Sequence, residues 1–183
     1  MDSADTFINN SPDLAPGFIL ADAGYDVWFG NSRGNFYSRH HTTLDPDKDK
    51  EFWDFSWSDM GLHDLPAVIN KALQVSGASK LTYIGHSQGT TQMFYALSKN
   101  EAYYLDRVNL FVALGPVTNL ANGKSELLTV AAKADVQYVL NYLGIYEQFP
   151  RGYLTNKIYS TACRWIPALC NFGLFLIADE DTS

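Results

Sequence analysis

A short glycine-flanked motif is the part of the sequence best suited to covalent chemistry. Residues 85–89 read Gly-His-Ser-Gln-Gly, a G-x-S-x-G pattern, with an apolar segment directly before it and an amphipathic segment directly after it. A serine held in a sharp strand-to-helix turn is lifted above the edge of a sheet, where its hydroxyl can attack a carbonyl carbon. The motif therefore predicts that Ser87 is a nucleophile.

The neighbours of Ser87 fit the same interpretation. Gly85 and Gly89 lack side chains, which lets a strand and a helix pack closely around the serine. The backbone N–H of Gln88 would lie at a helix N-terminus, so it is predicted to donate to a developing oxyanion. His86 is expected to point away from Ser87 and is interpreted as a packing or hydrogen-bonding residue rather than a base. The alternative is that Ser87 merely lies in a glycine-rich turn.

The elements that would position Ser87 alternate between helix and strand. Hydrophobic periodicity and stop signals predict helices over residues 16–23, over 64–77 and after Ser87, and strands over 25–29, 81–84 and 110–114. The later strands lack polar alternation, which predicts burial on both faces. The pattern indicates an α/β fold, a mostly parallel sheet with flanking helices. From Ser125 onward only helices are predicted, so we expect a core over 1–118 and a helical segment over 119–183.

Composition excludes several classes of protein. The chain has 183 residues, of which 46% are hydrophobic and 18% charged, enough for one domain with a sizeable core. Its net charge of −7, without a basic run, argues against a nucleic-acid partner. Its longest apolar stretch, residues 165–178, is interrupted by Pro167 and Asn171 and is too short for a transmembrane segment. The N-terminal residues carry neither a basic nor an apolar region, so no signal peptide is expected.

The remaining reactive residues form no recognised site. Cys163 and Cys170 exclude a four-cysteine zinc site, and they leave open one local bridge or two buried thiols. His40 and His41 with Asp45 match no strong metal motif, so neither a metal nor a cofactor is predicted. Arg33 lies in a polar loop over residues 30–54, where fixing the loop is favoured over contacting a substrate.

Several segments together resemble one known family. They are Phe18–Trp28, Gly30–Asn35, Asp64–Ala67 and Gly85–Thr91, with weaker similarity over residues 114–117 and 174–177. These segments resemble the gastric and lysosomal acid lipases, which are α/β-hydrolases. The resemblance implies hydrolysis of acylglycerols or steryl esters through an acyl-enzyme, with Ser87 as nucleophile and Gln88 as an oxyanion-hole donor. It also implies a partial α/β-hydrolase fold, a helical cap beginning in residues 119–183, a secreted or lysosomal location and a Cys163–Cys170 disulfide.

The sequence departs from this family at the catalytic acid and base. In α/β-hydrolases the order is serine, then acid, then histidine, whereas all four histidines of this chain precede Ser87. None of the later aspartates matches the family's acid position; they are Asp106, Asp135, Asp179 and Asp181. We therefore expect a truncated member with negligible activity alone. The alternatives are a catalytically inactive remnant that acts as a binding or interaction protein, and different acyl chemistry such as thioester hydrolysis.

The resemblance also implies that the first strands of the sheet are missing. A sheet without its flanking strands has open edges, which invite pairing with another chain. We expect those edges to be covered by the chain's own loops, by a homodimer or by a partner chain.

Overall fold

A parallel two-stranded sheet with helices beside it lies at the centre of the structure. The computed structural model describes residues 3–119 together with residues 161, 164 and 165, and the chain up to Thr118 is one compact unit. Its helices and strands, in chain order, are α1 (Pro16–Asp22), α2 (Trp57–Asp59), α3 (Leu65–Ser76), β1 (Leu81–His86), α4 (Gln88–Leu105) and β2 (Val108–Leu114). Short 3-10 turns occupy Ala4–Phe7 and Lys50–Trp53, and a π turn over Met60–Asp64 joins α2 to α3.

The two strands run parallel, with α4 as the connection between them. Tyr83 pairs with Phe111 and Gly85 with Ala113 along the register. A strand, a helix and a parallel strand in succession form the repeating unit of α/β proteins. The predicted fold class, a partial α/β-hydrolase fold, is confirmed.

The predicted apolar faces of α3 and α4 form the core. On α3 the side chains of Leu65, Ile69 and Ala72 are buried, and on α4 Met93 and Ala96 are almost completely excluded from water. Leu65, Ile69, Met93 and Ala96 join Tyr104 in one hydrophobic cluster. Because this cluster packs against Leu81, Tyr83 and Phe111, it fixes α4 on one face of the sheet.

The helix predicted over 64–77 is α3, and it begins and ends where expected. Asp64 lies at its N-cap position and Pro66 in its first turn, although the Asp64 carboxylate binds Arg33 and makes no capping hydrogen bond. Gly77 has φ +72°, and its N–H donates to the Leu73 carbonyl at 3.0 Å, as a glycine C-cap does. The sequence did not predict the short helix α2 before it, which begins at Trp57, where the Asp59 carboxylate accepts the Ser56 N–H at 2.8 Å.

The strand predicted over residues 25–29 is wrong. The backbone there is irregular, and the Tyr25 N–H donates back to the Leu20 carbonyl at 3.1 Å. β-branched and aromatic residues favour a strand because their side chains pack well on a half-buried sheet. A strand also needs a neighbouring strand to pair with. Across the described part of the chain the sheet contains β1 and β2 alone, so residues 25–29 have no neighbouring strand.

The prediction that the strands are buried on both faces is also wrong. α4 covers the face that carries Tyr83 and Phe111, and Phe94 contacts Phe111 with ring centroids 5.1 Å apart. On the opposite face Leu110 is 56% exposed and Leu114 is 39% exposed. The residue types of a strand indicate that its faces suit burial. The helices or loops that bury those faces come from other parts of the fold.

Two expectations concern residues beyond the compact unit. The helical cap over 119–183 and the Cys163–Cys170 pairing lie outside the described residues, apart from residues 119, 161, 164 and 165. Trp165 has helical backbone, and its side chain is 80% exposed. Of the helices that the structure describes, none has the length and apolar character needed to cross a membrane.

Candidate active site

Ser87 occupies the apex of a sharp turn between β1 and α4. Its backbone has φ 49° and ψ −114°, and among the described residues it alone has a positive φ without being glycine. Such a conformation costs on the order of 1–3 kcal/mol and persists only where the surroundings impose it. The strand, turn and helix that the G-x-S-x-G motif predicts are all present.

Three hydrogen bonds hold the backbone of Ser87 in this conformation. Its N–H donates to the Leu114 carbonyl at 2.9 Å, which extends the parallel pairing past the end of β1. Its carbonyl accepts two bonds from Thr90, one from the N–H at 2.9 Å and one from the hydroxyl at 2.6 Å. The peptide groups on both sides of the serine are thus fastened to neighbouring elements.

The side chain of Ser87 is left accessible by this arrangement. Serine before a helix usually caps it by accepting a backbone N–H, but the Ser87 hydroxyl makes no such bond. Ser87 and Gln88 are both exposed, and Gln88 is the first residue of α4. Its backbone N–H therefore lies at the positive end of the helix, beside an uncommitted hydroxyl.

The two glycines of the motif differ in how closely they are packed. A Cβ on Gly85 would lie 2.9 Å from the Gly89 carbonyl carbon and 2.9 Å from Tyr83 Cε1, closer than real contacts allow. A Cβ on Gly89 would meet only the Tyr83 hydroxyl at 3.5 Å, an ordinary contact. Close packing of strand and helix therefore depends on Gly85, whereas Gly89 contributes the backbone that Gly85 approaches.

No hydrogen bond joins a histidine or carboxylate to Ser87 among the described residues. His86 is exposed at the end of β1. His41 is engaged elsewhere, because its Nδ1 accepts the N–H groups of Thr43 and Leu44 at 3.2 and 3.1 Å. The described part of the turn thus holds a candidate nucleophile and oxyanion donor without an acid or base.

Comparison with known proteins places this turn in a family. A family model described as the alpha/beta hydrolase fold matches residues 3–157. The chain belongs to the α/β-hydrolase fold family. This α/β-hydrolase is 37% identical to lipase lipl-1 of Caenorhabditis elegans over 186 residues, which cover 99% of the chain and 46% of the relative. It is 38% identical to the gastric triacylglycerol lipase of Mus musculus over 182 residues, 98% of the chain and 45% of the relative.

A more similar but shorter match supports the same family. Lipase 1 of Drosophila melanogaster is 52% identical over 116 residues, which cover 63% of this chain and 26% of the relative. The resemblance to acid lipases is confirmed by these lipase relatives. The α/β-hydrolase chain spans less than half the length of the relatives that it matches.

Arg33 fixes a loop in this α/β-hydrolase, as the favoured interpretation predicts. Its backbone N–H donates to Asp64 Oδ2 and its Nε to Asp64 Oδ1, both at 2.8 Å, and its Nη2 lies 2.7 Å from Oδ1. The hydrogen bond with Asp64 raises the pKa of Arg33, so the guanidinium stays charged. In the same loop the Ser32 hydroxyl lies 3.4 Å from Gln92 Oε1, which links the loop to α4.

The polar loop over residues 30–54 contains His40, His41 and Asp45, which match no strong metal motif. His40 and His41 line an open depression with Thr42, and the Asp45 carboxylate pairs with Lys48. Within the described ranges, no group of three or more histidine, cysteine, aspartate or glutamate side chains is arranged to bind a metal ion.

Sequence reasoning missed two residues that brace the turn. The Tyr83 hydroxyl donates to the Gly89 carbonyl at 3.0 Å, and burial raises the pKa of Tyr83 to about 12, so the phenol stays a donor. Thr90 is completely buried, and its hydroxyl bonds both to Ser87 and to Val117. The available signal was a threonine three residues after the serine, since threonine in a helix commonly donates to a carbonyl three or four residues before it.

Proposed function

We propose that this chain carries the nucleophile of a lipid ester hydrolase, with Ser87 as the acyl acceptor. The observation that carries the proposal is the strained backbone of Ser87 together with a hydroxyl that no hydrogen bond to the helix occupies. A serine that served only as a turn residue or a helix cap would not need this conformation. The gastric triacylglycerol lipase among the relatives supports an acylglycerol ester as the substrate, and the resemblance to acid lipases adds steryl esters.

The proposed chemistry follows from the positions of two groups. Ser87 Oγ forms a bond to the ester carbonyl carbon while its proton passes to a base, and the carbonyl oxygen takes up negative charge. The Gln88 N–H stabilises that oxyanion, and one such donor typically contributes about 3 kcal/mol to the transition state. Collapse of this intermediate releases the alcohol with the proton and leaves an acyl group on Ser87, which water then removes as the free acid.

The base is the part of this chemistry that the chain does not supply. Because no histidine follows Ser87, no residue matches the base of the family order. A serine hydroxyl without a base stays protonated at neutral pH and is a weak nucleophile. We propose that the polypeptide alone turns over esters negligibly, and that acid and base come from sequence or partners beyond it.

Ester turnover by the purified chain tests this proposal. Hydrolysis of a p-nitrophenyl ester is followed for the wild type and for Ser87→Ala. We expect both rates to equal the rate of spontaneous hydrolysis. Robust turnover that Ser87→Ala abolishes would show that a base is present and would overturn this part of the proposal.

A second candidate function is binding without catalysis. It is favoured by the absence of a histidine after Ser87 and by the exposed apolar residues Leu110 and Leu114 on the uncovered face of β2. In this case Ser87 would keep its conformation without reacting. Covalent labelling by a fluorophosphonate separates the two candidates, because the probe needs a reactive serine.

The organisation and setting of the chain are proposed on the same basis. We infer a core over residues 1–118, followed over residues 119–183 by the start of a helical cap, in a protein that is secreted or lysosomal. The open edges of β1 and β2 in the described region would be covered by a second copy or by a partner chain. Sedimentation velocity tests this proposal: a complex is expected, and a stable monomer at micromolar concentration contradicts it.

A further inference from the structure

Thr90 is hydrogen-bonded to the turn and to a second segment, and the proposed reaction does not yet explain these bonds. It lies in the first turn of α4 and is completely buried, and its hydroxyl has both a donor and an acceptor role. The hydroxyl donates to the Ser87 carbonyl at 2.6 Å and accepts the Val117 N–H at 3.0 Å. One side chain therefore joins the apex of the turn to the loop that follows β2.

The Ser87 carbonyl and the Gln88 N–H belong to the same peptide group. A peptide group is planar, so its C=O and N–H point in opposite directions and rotate together. Whatever fixes the direction of the Ser87 carbonyl also fixes the direction of the Gln88 N–H. The Thr90 hydroxyl and the Thr90 N–H both donate to this carbonyl, at 2.6 and 2.9 Å.

We propose that Thr90 is a positioning residue that aims the Gln88 N–H at the oxyanion by holding the other end of the same peptide group. The inference rests on the proposed function, since it assumes that the Gln88 N–H serves an oxyanion. The contact made by the Thr90 N–H belongs to the backbone, so it does not depend on the side chain at position 90. The hydroxyl contact does depend on that side chain. The hydroxyl thus supplies the part of the restraint that substitution can remove.

The bond to Val117 gives the restraint a rigid support. Thr91, the next residue, donates its hydroxyl to the Val117 carbonyl at 2.7 Å. Both polar groups of Val117 are therefore bound by adjacent threonines of α4. The Thr91 hydroxyl binds the loop after β2, and within the described residues it makes no hydrogen bond to the Ser87–Gln88 peptide group, which makes Thr91→Val the matched control.

Thr90→Val tests the inference, with Thr90→Ser and Thr91→Val as controls. The first readout is the amide NMR signal of Gln88 and the hydrogen exchange of the Val117 amide. In Thr90→Val we expect the Gln88 signal to move and the Val117 exchange to accelerate at least about tenfold, while Thr90→Ser stays near the wild type. An unchanged Gln88 signal in a folded Thr90→Val protein would overturn the inference. Thr90→Ala, which removes the same hydroxyl, replaces Thr90→Val if that variant does not fold.

The second readout is the rate at which a fluorophosphonate modifies Ser87. Loss of a whole oxyanion donor slows acyl chemistry by about 100-fold to 1,000-fold, so a misaimed donor should slow it by about tenfold or more. Thr91→Val and Thr90→Ser should stay within about twofold of the wild type. Equal rates in Thr90→Val and the wild type contradict a role for Thr90 in aiming the donor. If the wild type itself is not modified, the proposed nucleophile fails, and the NMR readout still decides whether Thr90 orients the peptide group.

Discussion

At the scale of single residues, the backbone strain at Ser87 supports the proposal that this turn is functional. φ 49° with ψ −114° is the mirror image of common extended backbone, which glycine adopts readily and other residues avoid. Nothing in the packing requires a serine there, since its side chain is exposed. The positive φ therefore occurs at a residue whose exposed hydroxyl would be used in the proposed reaction.

Replacing Ser87 should reveal this strain directly. Ser87→Gly and Ser87→Ala both remove the hydroxyl, but only glycine tolerates the positive φ without a Cβ clash. We expect Ser87→Gly to exceed Ser87→Ala in free energy of unfolding by about 1 kcal/mol, measured by urea titration. Equal stability of the two variants would mean that the backbone of Ser87 is not strained.

The glycines of the motif should respond unequally to substitution. Gly85→Ala places a Cβ 2.9 Å from the Gly89 carbonyl carbon and should cost about 1–3 kcal/mol of stability. Gly89→Ala meets only the Tyr83 hydroxyl and gains helix propensity, so its unfolding free energy should change by less than about 1 kcal/mol. The comparison is made by urea titration, and a larger loss in Gly89→Ala contradicts the close approach described for Gly85.

Tyr83 should make the stability of the fold depend on alkaline pH. Burial raises its pKa to about 12 in the folded chain, whereas a phenol in the unfolded chain titrates near 10. The folded state therefore holds the proton more tightly, and stability present below about pH 10 is lost as the pH rises towards 12. Tyr83→Phe should be less stable than the wild type at pH 8 by about 1 kcal/mol, because it loses the bond to Gly89, and should lose less between pH 10 and 12. Parallel pH profiles for the two proteins would contradict this.

At the scale of elements, the helices were more predictable from sequence than the strands. Two local signals on α3 are confirmed, namely the apolar stripe of Leu65, Ile69 and Ala72 and the helix stop at Gly77. Asp64 lies at the predicted N-cap position, but its carboxylate pairs with an arginine 31 positions earlier, which no local pattern reveals. Residues 25–29 have strand composition without a strand partner, and pairing is a property of the fold rather than of the segment.

The loop that holds Arg33 gives a prediction at this scale. Arg33→Lys removes the paired contact with Asp64, which a single ammonium cannot reproduce, and should lower the free energy of unfolding by about 1 kcal/mol. Lys48→Gln, which removes the more exposed pair with Asp45, is the control and should change the free energy of unfolding by less than about 0.5 kcal/mol. Thermal unfolding compares the two. Equal effects would mean that the Arg33 pair contributes no more than a surface ion pair.

At the scale of the whole molecule, the turn at Ser87 has all of its predicted parts, whereas the described sheet beside it has few strands. Ser87, Gln88 and their bracing residues are in place, yet the sheet of the described region has two strands and one uncovered apolar face. The G-x-S-x-G motif and its flanking segments predicted the turn because its signals lie within about 20 residues. The bond between Thr90 and Val117 was not predictable, since it depends on how the loop after β2 returns to α4.

Mapping the site of fluorophosphonate modification tests the central claim most directly. The chain is incubated with the probe, digested and analysed by mass spectrometry, with Ser87→Ala as the control. Because an oriented N–H at a helix N-terminus assists reaction even when a triad is incomplete, we expect slow modification that is selective for Ser87 and absent in Ser87→Ala. No adduct at Ser87, or an adduct spread over other serines to the same extent, would contradict the claim that this turn presents a nucleophile.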